Sequence, residues 1–179
     1  MGYGENVASK ATRWVRKLFR SRRAITALEF AFVGPVFMMF TGMVEDAAVL
    51  LYQQAMLDNA VARASRLIRT GQIQLAGGAV TPFTTQLCND VGGLIPCANL
   101  QYKVTSAATF SLLSTTVTAT GTGALSGAGT FTPGTSGQDV VVQVGWNRPY
   151  LINWVGNLVN PGGTSLVVST YAFRNELYN

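Results

Sequence analysis

An apolar stretch near the N-terminus, residues 24–44, constrains the fold more than any other feature of the chain. Its sequence, AITALEFAFVGPVFMMFTGMV, is 21 residues long and carries a single charged residue, Glu29. A helix of this length spans about 30 Å, which is the hydrocarbon thickness of a bilayer. The stretch therefore predicts a transmembrane helix.

Basic residues are concentrated before this stretch. Residues 1–23 hold seven of the 13 lysines and arginines and one of the eight acidic residues. The rest of the chain is close to neutral, so the net charge of +5 does not indicate nucleic-acid binding. The basic block is instead a topology signal or a contact for anionic lipids. By the positive-inside rule, the N-terminus is cytoplasmic and residues 45–179 lie on the opposite side of the membrane.

The composition argues against an enzyme. The chain is 48% apolar and 12% charged, which is typical of membrane-associated or secreted proteins, and it contains no histidine. Without histidine, Ser-His-Asp and Cys-His catalysis and His-ligated metal sites are excluded. Glu45 and Asp46 are neighbours on a helix and point in different directions, so they form a poor acid/base pair. We expect no catalytic site, no metal and no cofactor.

Glu29 is unusual because a carboxylate is costly inside lipid. In one interpretation, it reaches back to the headgroups or to Arg23. In the other, the chain is cut between Ala24 and Ile25, and Glu29 becomes the fifth residue of the new chain, as in type IV prepilins. The cut creates an ammonium group at Ile25 that a neighbouring subunit's Glu29 can neutralise. Glu29 and the adjacent Phe30 would then set the register between packed subunits.

Three stretches together resemble one family. RRAITALEFAFVGPVF, followed by a helical run that ends in ARASRLIRTGQ, is similar to the TadE-like family, the minor pilins of the tight-adherence (Tad) pilus. LCNDVGGLIPCANLQYKV resembles the family's cysteine-paired segment, and VVSTYAFRNELYN resembles its usual ending. The chain departs from the family pattern at two positions: Ala24 stands where prepilins most often carry Gly, and Leu177 stands where the family commonly has Pro.

The resemblance implies a non-enzymatic minor pilin, or pseudopilin, that acts in assembly of a Tad-type pilus and so in surface adhesion and biofilm formation. A prepilin peptidase would cut it at Ala24–Ile25. Its implied partners are TadF-like minor pilins, the Flp-type major pilin and the inner-membrane assembly platform. It would sit in the inner membrane of a Gram-negative bacterium as a single-pass protein with its body in the periplasm, and in the pilus after assembly. An initiating or tip complex is expected, because so large a body cannot repeat along a thin filament.

Two rival interpretations remain open. One is a pseudopilin of a type II secretion-like machine. The other is an uncleaved, signal-anchored periplasmic binding module, in which the Gly/Thr-rich loop 121–137 would contact a ligand.

The helical pattern continues past the membrane stretch. We expect a cleaved leader over residues 1–24 and one long helix over 25–71, transmembrane in its first half at about 25–44. Gly34-Pro35 either kinks this helix for packing or is a tolerated transmembrane proline. Gly71 is a natural C-cap. Apolar residues recur near helical spacing at Ala48, Leu51, Ala55 and Ala62.

Basic residues and cysteines mark two further candidate sites. Arg63, Arg66 and Arg69 form one stripe, which is either a solvated face that compensates the helix dipole or a docking site for an acidic partner. Cys88 and Cys97 lie outside the cytoplasm, where we expect a disulfide rather than free thiols. Their spacing matches neither a redox CxxC pair nor a four-ligand metal set.

The remainder, residues 72–179, is expected to form a periplasmic domain. Two short helices are predicted, at 81–90 with Thr81 as N-cap and Pro82 at the first position, and at 149–159. Loop 121–137 is expected to be mobile, and Arg174 and Glu176 to form a salt bridge. Four runs rich in Val, Thr and aromatic residues predict strands: 99–106, 115–120, 138–146 and 164–173. The predicted fold is α+β and type IV pilin-like, with a long transmembrane helix packed on a small, mostly antiparallel sheet.

Overall fold

The computed structural model describes residues 22–120, 123–152, 156 and 164–178. Most of the predicted leader, residues 1–21, therefore lies outside the described part of the chain. The chain divides into two compact units, Met1–Glu45 and Asp46–Asn179. The first contains the apolar stretch, and the second, called the body here, contains the sheet.

Helix α1 runs from Arg22 to Arg69 and confirms the predicted long helix. It continues without a break through Pro35, so a kink at that residue stays a prediction. The helix ends as expected at Gly71, whose φ of 77° is left-handed. A side chain at this position would also run into the ring of Tyr178, so only glycine fits.

The body contains a three-stranded antiparallel sheet in the order β1-β2-β3. Strand β1 is Leu100–Ala107, β2 is Asp139–Pro149 and β3 is Thr164–Arg174. These strands confirm three of the four predicted runs and the α+β class. The fourth prediction, a strand at 115–120, is wrong. That segment has only an isolated bridge from Ala119 to Leu125.

One face of the sheet packs against the second half of α1. Alternate residues of β2, from Val140 to Trp146, are buried in one cluster with the helix because side chains on a strand point to opposite faces in turn. The helix contributes a stripe of buried small and aliphatic residues: Leu57, Ala60, Val61, Ala64 and Ile68. The apolar stripe noted in the sequence lies on another side of α1, since Ala48, Leu51 and Ala55 are exposed.

The other face of the sheet is covered by coil, which explains why the 115–120 run is not a strand. Gln143 of β2 is buried on this face and donates a hydrogen bond to the carbonyl of Thr115 at 3.1 Å. Leu125 is also buried and lies over Gly145. The 115–120 run therefore covers a sheet rather than extending one.

The Gly/Thr-rich loop adds to the edge of β1. The N–H of Val104 donates to Thr130 O at 2.9 Å, and the N–H of Thr132 donates to Val104 O at 3.0 Å. The ring of Phe131 packs against Phe83 and Tyr102. Residues 129–132 are thus part of the fold, and the mobility expected for the loop as a whole stays a prediction.

Two short helices connect α1 to the sheet. Helix α2 is Gln72–Leu75. Helix α3 is Thr81–Asp90, which confirms the helix predicted at 81–90. The N-cap of α3 is Val80 rather than Thr81, and it provides no side-chain cap. Pro82 lies in the first turn as expected. Phe83 and Leu87 of α3 are buried in the core. The helix predicted at 149–159 lies mostly outside the described residues.

Candidate functional site

The first unit presents an apolar helical surface. Large side chains project from all sides of the helix. In its most apolar 18 residues, 6% are buried. This part of α1 is long and apolar enough to cross a membrane. Glu29 is exposed on it, with Phe32 and Val33 one turn further along the helix. The side chains that are more than half exposed are Phe30, Phe32, Val33, Val36, Phe37, Met38, Phe40 and Val44.

The other residues predicted for assembly lie on the same helix. The ring of Phe30 lies beside Gly34, about one turn away on the helix. Thr41 turns its hydroxyl back to the Phe37 carbonyl at 3.0 Å, which satisfies a polar group within an apolar surface. The predicted cut between Ala24 and Ile25 falls within the first turn of α1. The roles of Glu29, Phe30 and the cut site stay predictions.

The body contains a buried ion pair that the sequence analysis missed. Arg148 lies near the end of β2 and is 1% exposed. Its Nη2 and Nη1 atoms donate to the two carboxylate oxygens of Asp46 at 2.7 and 3.0 Å. Its Nε atom donates to Gln53 Oε1 at 2.8 Å. The guanidinium therefore links the first two turns of the helix in the body to the end of the central strand.

Asp46 is held ionised by this geometry. The hydrogen bond from Arg148 lowers the pKa of the Asp46 carboxyl below its ordinary value of 3.8. Burial opposes this shift, whereas a hydrogen bond from the Leu151 N–H supports it. A bidentate pair of this kind fixes orientation as well as charge, because the planar guanidinium matches both carboxylate oxygens.

The alternation of side chains along β2 provides a sequence signal for this pair. Val142, Val144 and Trp146 face the helix, and Arg148 follows at the same period of two. An arginine on the apolar face of a strand needs an acidic partner, because an unpaired buried charge is strongly unfavourable. The alternation does not identify that partner, which lies 102 residues earlier in the chain.

The predicted arginine stripe is partly engaged within the body. Arg63 Nη1 lies 3.4 Å from Asp90 Oδ1, and Arg69 Nε lies 3.3 Å from Glu176 Oε1. Arg66 is exposed. Docking of an acidic partner on this stripe stays a prediction, and such a partner would meet two cations that already have acidic neighbours.

The salt bridge expected between Arg174 and Glu176 is wrong. Arg174 Nε donates to Asp139 Oδ1 at 2.8 Å, because the β2–β3 register places these two residues opposite each other. Glu176 lies beyond the end of β3, where its N–H donates to the Arg69 carbonyl at 2.9 Å.

The cysteine prediction is confirmed. Cys88 and Cys97 form a disulfide that joins the end of α3 to the turn before β1. Within the described part of the chain, no three His, Cys, Asp or Glu side chains are grouped as metal ligands would be.

Comparison with known protein families gave a match to the apolar helix. Residues 24–66 match the family model described as TadE-like protein. No curated protein and no solved structure matched the chain. The match begins at Ala24 and extends through Glu29 into the half of α1 that packs on the sheet. It stops before the cysteine segment and the C-terminal strand, so the resemblances there stay predictions. The N-terminal helical segment of this chain, residues 24–66, is thus similar to the TadE-like family.

Proposed function

We propose that the protein is a minor pilin, or pseudopilin, that helps to assemble a Tad-type pilus and has no enzymatic activity. The proposal rests on the position of the family match. The TadE-like segment begins at the predicted cut site and includes the exposed apolar part of α1. A segment of this kind must be covered by lipid or by other subunits, because large exposed apolar surfaces mark membrane or protein contacts.

In this proposal the apolar half of α1 is anchored in the inner membrane, with the N-terminus in the cytoplasm and the body in the periplasm. A prepilin peptidase removes the leader. The ammonium group of the new N-terminus at Ile25 then pairs with Glu29 of a neighbouring pilin. The partners are TadF-like minor pilins, the Flp-type major pilin and the assembly platform. The assembled pilus supports surface adhesion and biofilm formation.

The body supports this role as a preformed unit. Its core, disulfide and buried Arg148–Asp46 pair lie within residues 46–179. A body that is complete by itself can remain folded while the apolar helix exchanges lipid for neighbouring subunits. We place the protein in an initiating or tip complex, because a body of this size cannot repeat along a thin filament.

Processing is the direct test. The chain is co-expressed with an active prepilin peptidase or with an inactivated one, and the intact mass of the membrane-extracted protein is measured. We expect a mature chain that starts at Ile25 with the active enzyme only. As matched variants, Ala24→Gly should be cut at least as well, and Ala24→Leu should resist cleavage because a small residue is needed before the cut.

Two results would contradict the proposal. A mass corresponding to residues 1–179 in the presence of active peptidase would favour the uncleaved, anchored binding module. A cut after Val44 would indicate an ordinary secretory signal.

A further inference from the structure

The loop that follows β2 is tied to the start of the body. The backbone N–H of Leu151 donates to Asp46 Oδ1 at 3.0 Å, and Arg148 holds the same carboxylate. Asp46 is the second residue after Val44, the last residue of the apolar stretch. Leu151 is therefore held beside a residue that follows the apolar stretch by two positions in the sequence.

The described start of this loop, residues 150–152, exposes an apolar side chain. Leu151 is 60% exposed although a backbone hydrogen bond fixes its position. The ring of Tyr150 lies against Gly156, and the N–H of Gly156 donates to Ile152 O at 3.0 Å. Residues 149–163 contain no charged side chain. An uncharged loop that combines aliphatic residues with tyrosine is typical of the membrane–water interface.

We propose that the β2 loop, residues Tyr150–Ile152, contacts the lipid bilayer in which α1 is anchored. The proposal rests on the membrane-anchored role proposed above. Leu151 enters the headgroup region, and Tyr150 lies at its edge. The loop carries no exposed cation, so the contact depends on apolar burial and not on anionic lipid. The body then has a second membrane contact, which holds it against the bilayer until the subunit leaves for a filament.

Depth-dependent quenching tests the contact in the full-length chain. Single cysteines replace Leu151, Leu177 or Met38 while the native disulfide stays oxidised, and each carries a nitrobenzoxadiazole dye. Leu177 is the matched control because it is a leucine that is 89% exposed and lies beyond the opposite end of the sheet. The proteins are reconstituted into phosphatidylethanolamine/phosphatidylglycerol vesicles that contain lipid with a nitroxide at carbon 5 of the acyl chain.

We expect the dye at position 151 to be quenched at least about twofold more than the dye at 177, since interfacial segments enter about 5–10 Å into the headgroup boundary. The dye at 38 should be strongly quenched as well. Quenching at 151 should persist when phosphatidylcholine replaces phosphatidylglycerol.

The outcomes separate the inference from the function on which it rests. Weak quenching at both 151 and 177, with strong quenching at 38, overturns the loop contact and leaves the anchor intact. Weak quenching at all three positions overturns the anchor and the loop contact together. A loss of quenching at 151 without phosphatidylglycerol contradicts an apolar contact.

Discussion

The two halves of helix α1 have the same secondary structure and opposite surroundings. In the second half, Leu57, Val61 and Ile68 are fully buried against the sheet and its neighbours. In the first half, Phe32 is 72% exposed and Phe37 is 62% exposed. The second half removes its apolar surface from water by using its own chain. The first half must have that surface covered by lipid or by other subunits.

The two halves of α1 also differ in the partners of their polar side chains. In the body, Asp46 and Gln53 face inward and bind Arg148 of the same chain. In the apolar half, Glu29 is exposed, and the proposed partner for it belongs to another molecule. Buried polar groups in proteins are normally paired, as Asp46 and Gln53 are, and in the proposed lipid position Glu29 would need a partner as well. Changes within the body should therefore affect folding, and a change at Glu29 should affect contacts between molecules.

The largest effect is expected at Arg148. Arg148→Ala leaves the Asp46 carboxylate without its main partner inside the body, which should lower the free energy of unfolding by about 3–5 kcal/mol. Denaturant unfolding of the full chain in detergent micelles measures this loss. Arg63→Ala is the matched control, because Arg63 is exposed in its pair with Asp90 and the pair should contribute less than about 1 kcal/mol. Equal losses in the two variants would contradict the buried pair.

The disulfide should have the next largest effect. Replacing Cys97 with Ser opens a loop that joins residues nine apart, and the chain-entropy model gives a loss of about 2.5–3 kcal/mol. Unfolding midpoints with and without reductant measure it, and reductant should destabilise the wild type but not the variant. Rapid alkylation of the unreduced wild-type protein would show that the thiols are free.

Acid should weaken the body through Asp46. The carboxyl has a lowered pKa in the folded state, so its contribution to stability is complete above the ordinary value of 3.8. The contribution is lost as the pH falls from there through the folded-state pKa. The unfolding midpoint should therefore decrease as the pH is lowered below 3.8. The decrease should be smaller in Asp46→Asn.

Much of the fold follows from local patterns in the sequence. The length of α1, its end at Gly71 and three of the strands are confirmed, since helix caps and runs of β-branched residues are local signals. The disulfide between Cys88 and Cys97 is confirmed too, and the sequence predicts it from the expectation that both cysteines lie outside the cytoplasm. The run at 115–120 has strand composition but covers the sheet, a distinction that composition does not make.

The sequence could not identify which side of α1 is buried. Apolar residues recur at helical spacing on two sides of its second half, and the exposed set includes Ala48, Leu51 and Ala55. The Arg148–Asp46 pair was also missed, because its members are 102 residues apart and meet only through the sheet register. Contacts between distant parts of the chain decide both features.

The smallest effect on folding, and the largest on assembly, is expected at Glu29. In the body, losing a paired charge costs stability, whereas Glu29→Ala should leave the unfolding midpoint, membrane insertion and processing unchanged. The variant should lose association with partner pilins, because the ammonium group of a neighbour would have no carboxylate to pair with inside lipid. Glu29→Asp should be intermediate, since it keeps the charge and shortens its reach.

Co-purification of partner pilins with the processed Glu29→Ala chain tests the central claim most directly. The TadF-like and Flp-type pilins are quantified relative to wild type, beside a cleavage assay and an unfolding curve for the same preparation. We expect normal cleavage, a normal unfolding curve and a marked loss of both partners. Normal cleavage together with wild-type amounts of both partners would contradict the account, because Glu29 would then be a tolerated charge at the membrane edge.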